Sequence, residues 1–233
     1  MKAPQRMRLA SLAAASMTSS RAVPSLSELP PSMNWEDFNY PPMLRMWHYD
    51  PAELDLSPRF IARVMHAAFL LPVFTLVLNL AFTVVLIALG QMEVINAMFS
   101  CFNLLIGFAA GLWVFMSGYK GIAARKSRMQ FRYVICWGML TAVMGAFSLL
   151  AVANLNGWVR VAHLMQQRAW SRDTTNRAQT IWLVAAICEA SLWSSCFVLS
   201  AYAWYTVLRV YRDGPVVFSR MNNWLGRSRI ESN

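Results

Sequence analysis

Residues 66–89 read HAAFLLPVFTLVLNLAFTVVLIAL and contain no Asp, Glu, Lys or Arg over 24 positions. A helix rises about 1.5 Å per residue, so about 20 apolar residues cross a hydrocarbon layer of ~30 Å. Three more stretches reach that length, at residues 95–118, 133–155 and 181–208, and Glu189 is their one acidic or basic residue. Hydrocarbon offers backbone groups no hydrogen-bond partner, so each stretch is predicted to be helical. The predicted fold class is all-α: a polytopic membrane protein with four transmembrane helices in two hairpins.

The composition agrees with this fold class. Of the 233 residues, 57% are hydrophobic and 14% are charged, and the mean hydropathy is +0.39. A soluble domain is about 45–50% apolar and about 25% charged, so an ordinary soluble enzyme is excluded. The four cysteines lie inside the apolar stretches without a CxxC pair, and the sequence carries no nucleotide-binding, hydrolase or metalloprotease motif. We therefore predict no enzymatic activity, no metal, no cofactor and no nucleic-acid partner.

The net charge of +10 is distributed unevenly along the chain. With both termini on one side of the membrane, that side holds 17 of the 21 basic residues and the other side holds 4. Basic residues near membrane-spanning helices favour the cytosolic side. Both termini are therefore predicted to face the cytosol.

The two ends of the chain differ from its centre. Residues 1–50 are predicted to form a disordered or extended cytosolic tail, because Pro and Ser are frequent and apolar residues are scattered. A second interpretation is open, since the first 25 residues carry four basic residues and no acid, which is typical of a mitochondrial transit peptide. Residues 51–64 are predicted to be an interfacial helix before the membrane, 65–208 the transmembrane domain, and 209–233 a basic cytosolic tail.

The segment 119–132, between the second and third stretches, carries five basic residues and no acid. Each Lys or Arg near an anionic membrane surface contributes about 1 kcal/mol, so this loop is predicted to bind anionic lipids. The positive-inside rule alone is an alternative explanation for the same charges. The candidate lipid-binding residues are Tyr119, Lys120, Arg125, Lys126, Arg128 and Arg132.

Polar and small residues inside the apolar stretches are the remaining candidates. Asn79, Asn103 and Glu189 are intramembrane polar residues, and Glu189 is either a transport group or a structural residue bonded to the nearby Ser191, Ser194 and Ser195. Small residues spaced by four let helices approach closely, either within the chain or in a homo-oligomer. The helix-packing candidates are Gly107, Gly111 and Gly138.

Several short motifs resemble the secretory carrier-associated membrane protein (SCAMP) family over roughly residues 34–215. These motifs are Asn34-Trp35, Tyr40-Pro41-Pro42, Trp47-His48-Tyr49-Asp50, Asp55-Leu56-Ser57-Pro58, Leu78-Asn79-Leu80, Tyr119-Lys120-Gly121-Ile122, Asn156-Gly157-Trp158 and residues 207–212. The resemblance implies a protein of Golgi, recycling endosomes, secretory vesicles and plasma membrane that acts in exocytosis and endocytosis. It also implies trafficking proteins and phosphoinositides as partners. The alternative function is a mitochondrial inner-membrane subunit or small transporter with a cleaved presequence.

Overall fold

The structure, a computed structural model, describes residues 33–152, 154–170 and 177–213. Within these ranges, four helices are long and apolar enough to cross a membrane. They are α1 (Leu56–Ala88), α2 (Ile95–Ala123), α3 (Ser127–Leu149) and α5 (Arg177–Asp213). The predicted fold class is confirmed, whereas the side of the membrane on which the termini lie stays a prediction.

The four long helices pack as a ring in which α1 contacts α2 and α5, and α3 contacts α2 and α5. The α3–α5 contact includes two reciprocal indole hydrogen bonds to backbone carbonyls. Trp137 Nε1 donates to Ser200 O at 3.2 Å, and Trp204 Nε1 donates to Val134 O at 2.7 Å. A buried cluster that includes Leu76, Met144 and Trp193 fills the space between α1, α3 and α5.

Two tight turns connect the first three long helices. After α1, Gly90 adopts φ +69°, and the N–H groups of Gly90 and Gln91 donate to Ile87 and Leu86 carbonyls. After α2, Arg125 takes the same role at φ +52°, and the N–H groups of Arg125 and Lys126 donate to Ile122 and Gly121. Both turns are Schellman motifs, which satisfy the last carbonyls of a helix through one left-handed residue.

The structure corrects the interval predicted as the third stretch, 133–155. Helix α3 begins earlier, at Ser127, and ends at Leu149; a two-stranded hairpin, β1 (Ala151–Val152) and β2 (Leu155–Asn156), follows. The segment predicted as a loop after residue 156 contains a further amphipathic helix, α4 (Trp158–Trp170). Val161 and Leu164 of α4 pack on Ala186 and Ala190 of α5.

The interfacial helix predicted for residues 51–64 is not a separate element. Pro51–Glu53 form one 3-10 turn, and α1 then runs without interruption from Leu56 into the membrane-spanning stretch. Residues 35–55, which we call the N-terminal strap, contain a bridge between Tyr40 and Trp47 and fold against the bundle through hydrogen bonds to His66 and Tyr119. The predictions made for residues 1–32 and 214–233 lie outside the described residues.

Candidate functional site

The candidate functional residues meet in two places, at one end of the bundle and in a buried cluster nearer the other end. The basic end is where α1 begins, α2 turns into α3, and α5 ends. The hairpin end is where α1 turns into α2 and where β1 and β2 lie. A cluster of buried polar residues, which we call the polar cluster, occupies the half of the bundle nearer the hairpin end.

Glu189 of α5 is the only ionisable member of the polar cluster among the described residues, with 1% of its surface exposed. Its carboxylate accepts hydrogen bonds from Asn79 Nδ2 at 2.9 Å, Asn156 N at 3.1 Å, Asn156 Nδ2 at 2.7 Å and Trp193 Nε1 at 3.4 Å. All four contacts come from N–H donors, so both carboxyl oxygens are used as acceptors. Glu189 therefore joins α1, α5 and strand β2.

The remaining members of the polar cluster surround Asn79. Asn79 Nδ2 also donates to Asn154 O at 2.9 Å, and Asn79 Oδ1 accepts from Ser100 Oγ at 3.0 Å. Asn154 Nδ2 donates to Ser100 Oγ, and Asn103 Nδ2 donates to Asn154 Oδ1 at 3.2 Å. The cluster thereby links α1, α2, α5 and the β1–β2 hairpin through side chains from all four elements.

The hydrogen bonds of the polar cluster explain why polar side chains, which are unfavourable in hydrocarbon, lie inside the bundle. Strands β1 and β2 leave the helical hydrogen-bonding pattern, and Asn154, Leu155 and Asn156 are buried. Non-helical backbone at membrane depth must be satisfied by protein groups. Asn79 satisfies the Asn154 carbonyl and Glu189 satisfies the Asn156 N–H, so the polar cluster replaces the missing helical partners.

The serines proposed as partners of Glu189 lie elsewhere. Ser195 is exposed and donates to the Ser191 carbonyl at 2.9 Å, while Ser194 bonds Ser148 at 2.7 Å and the Ala190 carbonyl. Serine hydroxyls in a helix readily return to the carbonyl four residues earlier, and residues two, five or six positions away leave the face that Glu189 occupies. The structure corrects this expectation.

Sequence reasoning missed Ser100, Asn154 and Asn156 as members of the polar cluster around Asn79 and Glu189. A signal was present, because Asn79, Asn103 and Glu189 each require a partner inside the membrane, and Asn154 and Asn156 lie at the end of the third apolar stretch. Pairing intramembrane polar residues with those at the end of the third stretch would have found the cluster.

At the basic end, the N-terminal strap covers the predicted loop. Tyr119 has 0% of its surface exposed. Its hydroxyl donates to Asp50 O at 3.0 Å and accepts from Asp50 N at 3.1 Å. Tyr49 contacts Phe115 and Tyr119 with ring centroids 5.4 and 4.9 Å apart. Tyr119 is therefore a binding site for the strap, and the expectation that it contacts lipid is wrong because the strap buries it.

Polar contacts also fix the strap to itself and to the start of α1. The buried His48 ring bonds Asp37 O through Nδ1 at 2.9 Å and Glu53 Oε2 through Nε2 at 3.1 Å. Arg59 Nη2 donates to the Ala52 carbonyl at 2.6 Å and the Leu54 carbonyl at 2.9 Å. The strap is therefore a specific structure before the membrane, where the sequence predicted a disordered or extended tail.

Burial of the strap tyrosines has an electrostatic consequence. Tyr40 lies between His66 and Phe115, and desolvation by burial raises the pKa of Tyr40 to about 12. Burial, followed by the neighbouring Tyr119 and Tyr40 hydroxyls, also raises the pKa of Tyr49. Both hydroxyls therefore stay neutral at alkaline pH values that would ionise an exposed tyrosine.

The cations predicted to bind lipid divide into two groups. Lys120 is half-buried and lies over the Trp35 ring at 5.9 Å. Arg125 lies 3.9 Å from Asp55, although the side chains of Arg125 and Asp55 are both more than half exposed. Lys126, Arg128 and Arg132 are exposed and make no ion pair in the described part of the chain. Arg132 lies over the exposed Trp113 ring at 5.8 Å. Arg209 and Arg212 lie at the same end, because Phe131 of α3 contacts Tyr211 of α5.

The predicted small residues lie at helix contacts within the chain. A Cβ atom at Gly107 would meet Leu76 of α1, one at Gly111 would meet Phe69, and one at Gly138 would meet Trp204 of α5. Gly107 and Gly111 also border an apolar cavity of about 220 Å³ that reaches Trp137 on α3. These positions serve packing inside one chain.

No group of three or more His, Cys, Asp and Glu side chains that could hold a metal ion occurs within the described ranges.

The comparison with family models matches residues 37–214 to the SCAMP family, which covers most of the chain. Neither the curated proteins nor the solved structures contain a match. The matched interval includes most of the strap, all four long helices and both sites, and the chain therefore belongs to the SCAMP family of membrane proteins.

Proposed function

We propose that this membrane protein acts in post-Golgi secretory and endocytic traffic, with its basic end on the cytosolic leaflet. There it binds anionic lipids, phosphoinositides among them, and its role is non-enzymatic. Family membership supports a trafficking-related membrane protein. The observation that carries the lipid proposal is the set of three exposed cations, Lys126, Arg128 and Arg132, that make no ion pair in the described ranges.

The geometry favours lipid over a protein carboxylate as the partner of these cations. They lie in the α2–α3 turn and the first turns of α3, next to the membrane-spanning part of the bundle. Trp113 beside Arg132 is half exposed, and tryptophan is enriched at the level of lipid headgroups. A phosphate at this level meets several cations at once, and each contributes about 1 kcal/mol.

The test is a titration of the full-length protein in phosphatidylcholine nanodiscs with a short-chain, water-soluble phosphatidylinositol bisphosphate. The variant Lys126→Gln/Arg128→Gln/Arg132→Gln should bind about 100-fold more weakly, since three contributions of about 1 kcal/mol are removed. The matched control replaces Arg168, Arg172 and Arg177 by Gln, which removes the same number of positive charges from another segment of the sequence, and should bind like the unmodified protein. Equal weakening in both variants would reduce the effect to net charge, and no weakening in either would refute the site.

Localisation of the C-terminally tagged full-length chain tests the compartment. Coincidence with Golgi and endosomal markers is expected. Coincidence with a mitochondrial marker, together with loss of the first 20–30 residues on N-terminal sequencing, would instead support the inner-membrane alternative.

A further inference from the structure

The turn at the tip of the N-terminal strap exposes an apolar surface. Residues 40–47 form a tight hairpin: Tyr40 and Trp47 exchange backbone hydrogen bonds, and the N–H groups of Leu44 and Arg45 donate to Pro41 O. At its tip, Met43 is 98% exposed, Leu44 is 57% exposed and Met46 is 53% exposed. No acid occurs between residues 40 and 49. Three exposed apolar side chains on one short turn mark a surface that binds something apolar.

The level of this hairpin relative to the membrane follows from its contacts. Tyr40 Oη bonds His66 Nε2 at 3.1 Å, and the Tyr40 ring lies 6.0 Å from the Phe115 ring. A hydrocarbon layer of ~30 Å takes about 20 helical residues. Counted from Ala88 at the hairpin end of α1, that length reaches Phe69, and counted from Ile95 of α2, it reaches Val114.

His66 and Phe115 therefore lie just outside the hydrocarbon, in the headgroup layer. Tyr119, which holds Asp50, lies one helical turn further out. The strap thus runs from Asp50 back to Tyr40 toward the membrane. Since three residues reach at most about 10 Å, the tip at Met43 lies within about 10 Å of Tyr40 and can reach the adjacent leaflet.

From this position we infer that the hairpin tip, residues 41–46, inserts into the headgroup and upper acyl region of the leaflet at the basic end. Lipid is the occupant because the tip lies at the level of the headgroups beside the bundle. A soluble protein partner would have to enter that layer to reach Met43. The surrounding residues fit an interfacial location, since Tyr40, Trp47 and Tyr49 combine apolar rings with polar groups and Arg45 at φ +47° supplies a cation.

The consequence is that the strap has two contacts: it packs on aromatic rings of α1 and α2, and it touches the bilayer beside these helices. The inserted tip adds a shallow wedge of Met and Leu side chains to one leaflet. Methionine suits this role because its unbranched, flexible side chain adapts to disordered acyl chains.

Nitroxide accessibility in the full-length protein tests the inference. Cys101, Cys136, Cys188 and Cys196 are replaced by Ala, the label is attached at Met43→Cys, and the protein is reconstituted into liposomes. Lys126→Cys, exposed in the α2–α3 turn, is the reference outside the hydrocarbon, and Leu105→Cys, 65% exposed in the middle of α2, is the hydrocarbon reference. Collisions are measured with oxygen, which concentrates in hydrocarbon, and with a nickel chelate, which stays in water.

At Met43→Cys, the ratio of oxygen to nickel collisions should exceed the ratio at Lys126→Cys at least threefold and approach the ratio at Leu105→Cys. A ratio equal to that at Lys126→Cys would overturn the inference and leave the tip as a surface in water. Met46→Cys provides a second position when the Met43 label disturbs folding. The lipid titration of the basic residues does not depend on this result, so the failure of one proposal is distinguishable from the failure of the other.

Discussion

The polar cluster and the basic end both contain ionisable side chains, but these side chains are buried in the polar cluster and exposed at the basic end. In the polar cluster, Glu189 is buried and four N–H donors satisfy its carboxyl oxygens, so this group is used inside the protein. At the basic end, Lys126, Arg128 and Arg132 are exposed and lack an acidic partner in the described ranges, so their charge is available to a ligand. A buried carboxyl group whose hydrogen-bond donors all come from the protein indicates a structural role. Exposed cations that make no ion pair indicate a binding role.

The largest expected effect comes from the polar cluster. Glu189→Ala leaves Asn79, Asn156 and Trp193 without their shared acceptor, and breaking such a buried network costs about 3–5 kcal/mol. Thermal unfolding of the purified protein in detergent measures the loss. Ser195→Ala, on an exposed face of the same helix, is the control and should unfold like the unmodified protein. Equal unfolding of both variants would remove the structural role of Glu189.

Glu189→Gln sharpens the same comparison. The amide oxygen keeps an acceptor, but its NH₂ group replaces one carboxylate oxygen and leaves a donor unpaired, which costs about 1–3 kcal/mol. If the variant is correspondingly less stable yet localises normally, the structural account holds. A variant as stable as the unmodified protein but inactive in a flux assay would instead support a transport role.

The crossing of α2 and α3 at the basic end gives the next effect. A Cβ atom at Gly121 would lie 2.8 Å from Gln130 N, a backbone atom that cannot move aside, so Gly121→Ala should destabilise by about 1–3 kcal/mol. Detergent unfolding measures it, with Ala124→Ser in the neighbouring exposed turn as the control. If Gly121→Ala and the control unfold alike, α2 and α3 do not approach each other as closely as described.

Tyr119→Phe tests the strap with a smaller change. The phenyl ring stays buried while the hydroxyl that bonds Asp50 O and N is lost, which costs about 1 kcal/mol. Limited proteolysis within residues 35–55 should become faster, with little change in the melting of the bundle. Unchanged cleavage would mean that the hydroxyl does not hold the strap.

Alkaline pH should release the same strap. Because the folded-state pKa of Tyr40 is raised to about 12 from 10.0, its stabilising contribution is complete below pH 10 and is lost as the pH rises through 12. Strap cleavage by an alkali-tolerant protease should therefore increase over that interval, and Tyr40→Phe should remove part of the increase. An increase that begins near neutral pH would point to a different group.

The smallest expected effect on stability belongs to the lipid-binding cations. Lys126→Gln/Arg128→Gln/Arg132→Gln should change the free energy of unfolding by no more than about 0.5 kcal/mol, because exposed charges without partners contribute little. The same variant should lose lipid binding. A large loss of stability would make these residues structural and would weaken the proposed site.

The sequence predicted the membrane fold because hydrocarbon demands long, uncharged helices, and this demand is visible at each of the four stretches. It did not predict that residues 150–152 and 154–157 leave the helix, because Ala151, Val152 and Leu155 are as apolar as the residues before them. The position of Glu189 inside an apolar stretch was enough to show that it is energetically unfavourable without a partner. Its partners Asn79 and Asn156 come from distant parts of the chain, and only the packing of α1 and β2 on α5 brings them together.

The burial of Tyr119 was hidden for a related reason. Its neighbours along the chain are basic, so the local pattern indicated a uniform lipid-binding loop. The covering residues, Tyr49 and Asp50, lie about 70 positions earlier, and their contact with Tyr119 depends on the return of the strap against α1 and α2.

The central claim is that the basic end and the hairpin end lie on opposite sides of a bilayer, with the basic end in the cytosol. Single cysteines at Lys126→Cys and Glu93→Cys, in the chain without its four native cysteines, report this directly through a membrane-impermeant thiol reagent applied to intact cells carrying the protein at the plasma membrane. We expect labelling of Glu93→Cys in intact cells, and labelling of Lys126→Cys only after permeabilisation. Labelling of Lys126→Cys in intact cells, or labelling of both positions from the same side, would contradict the account.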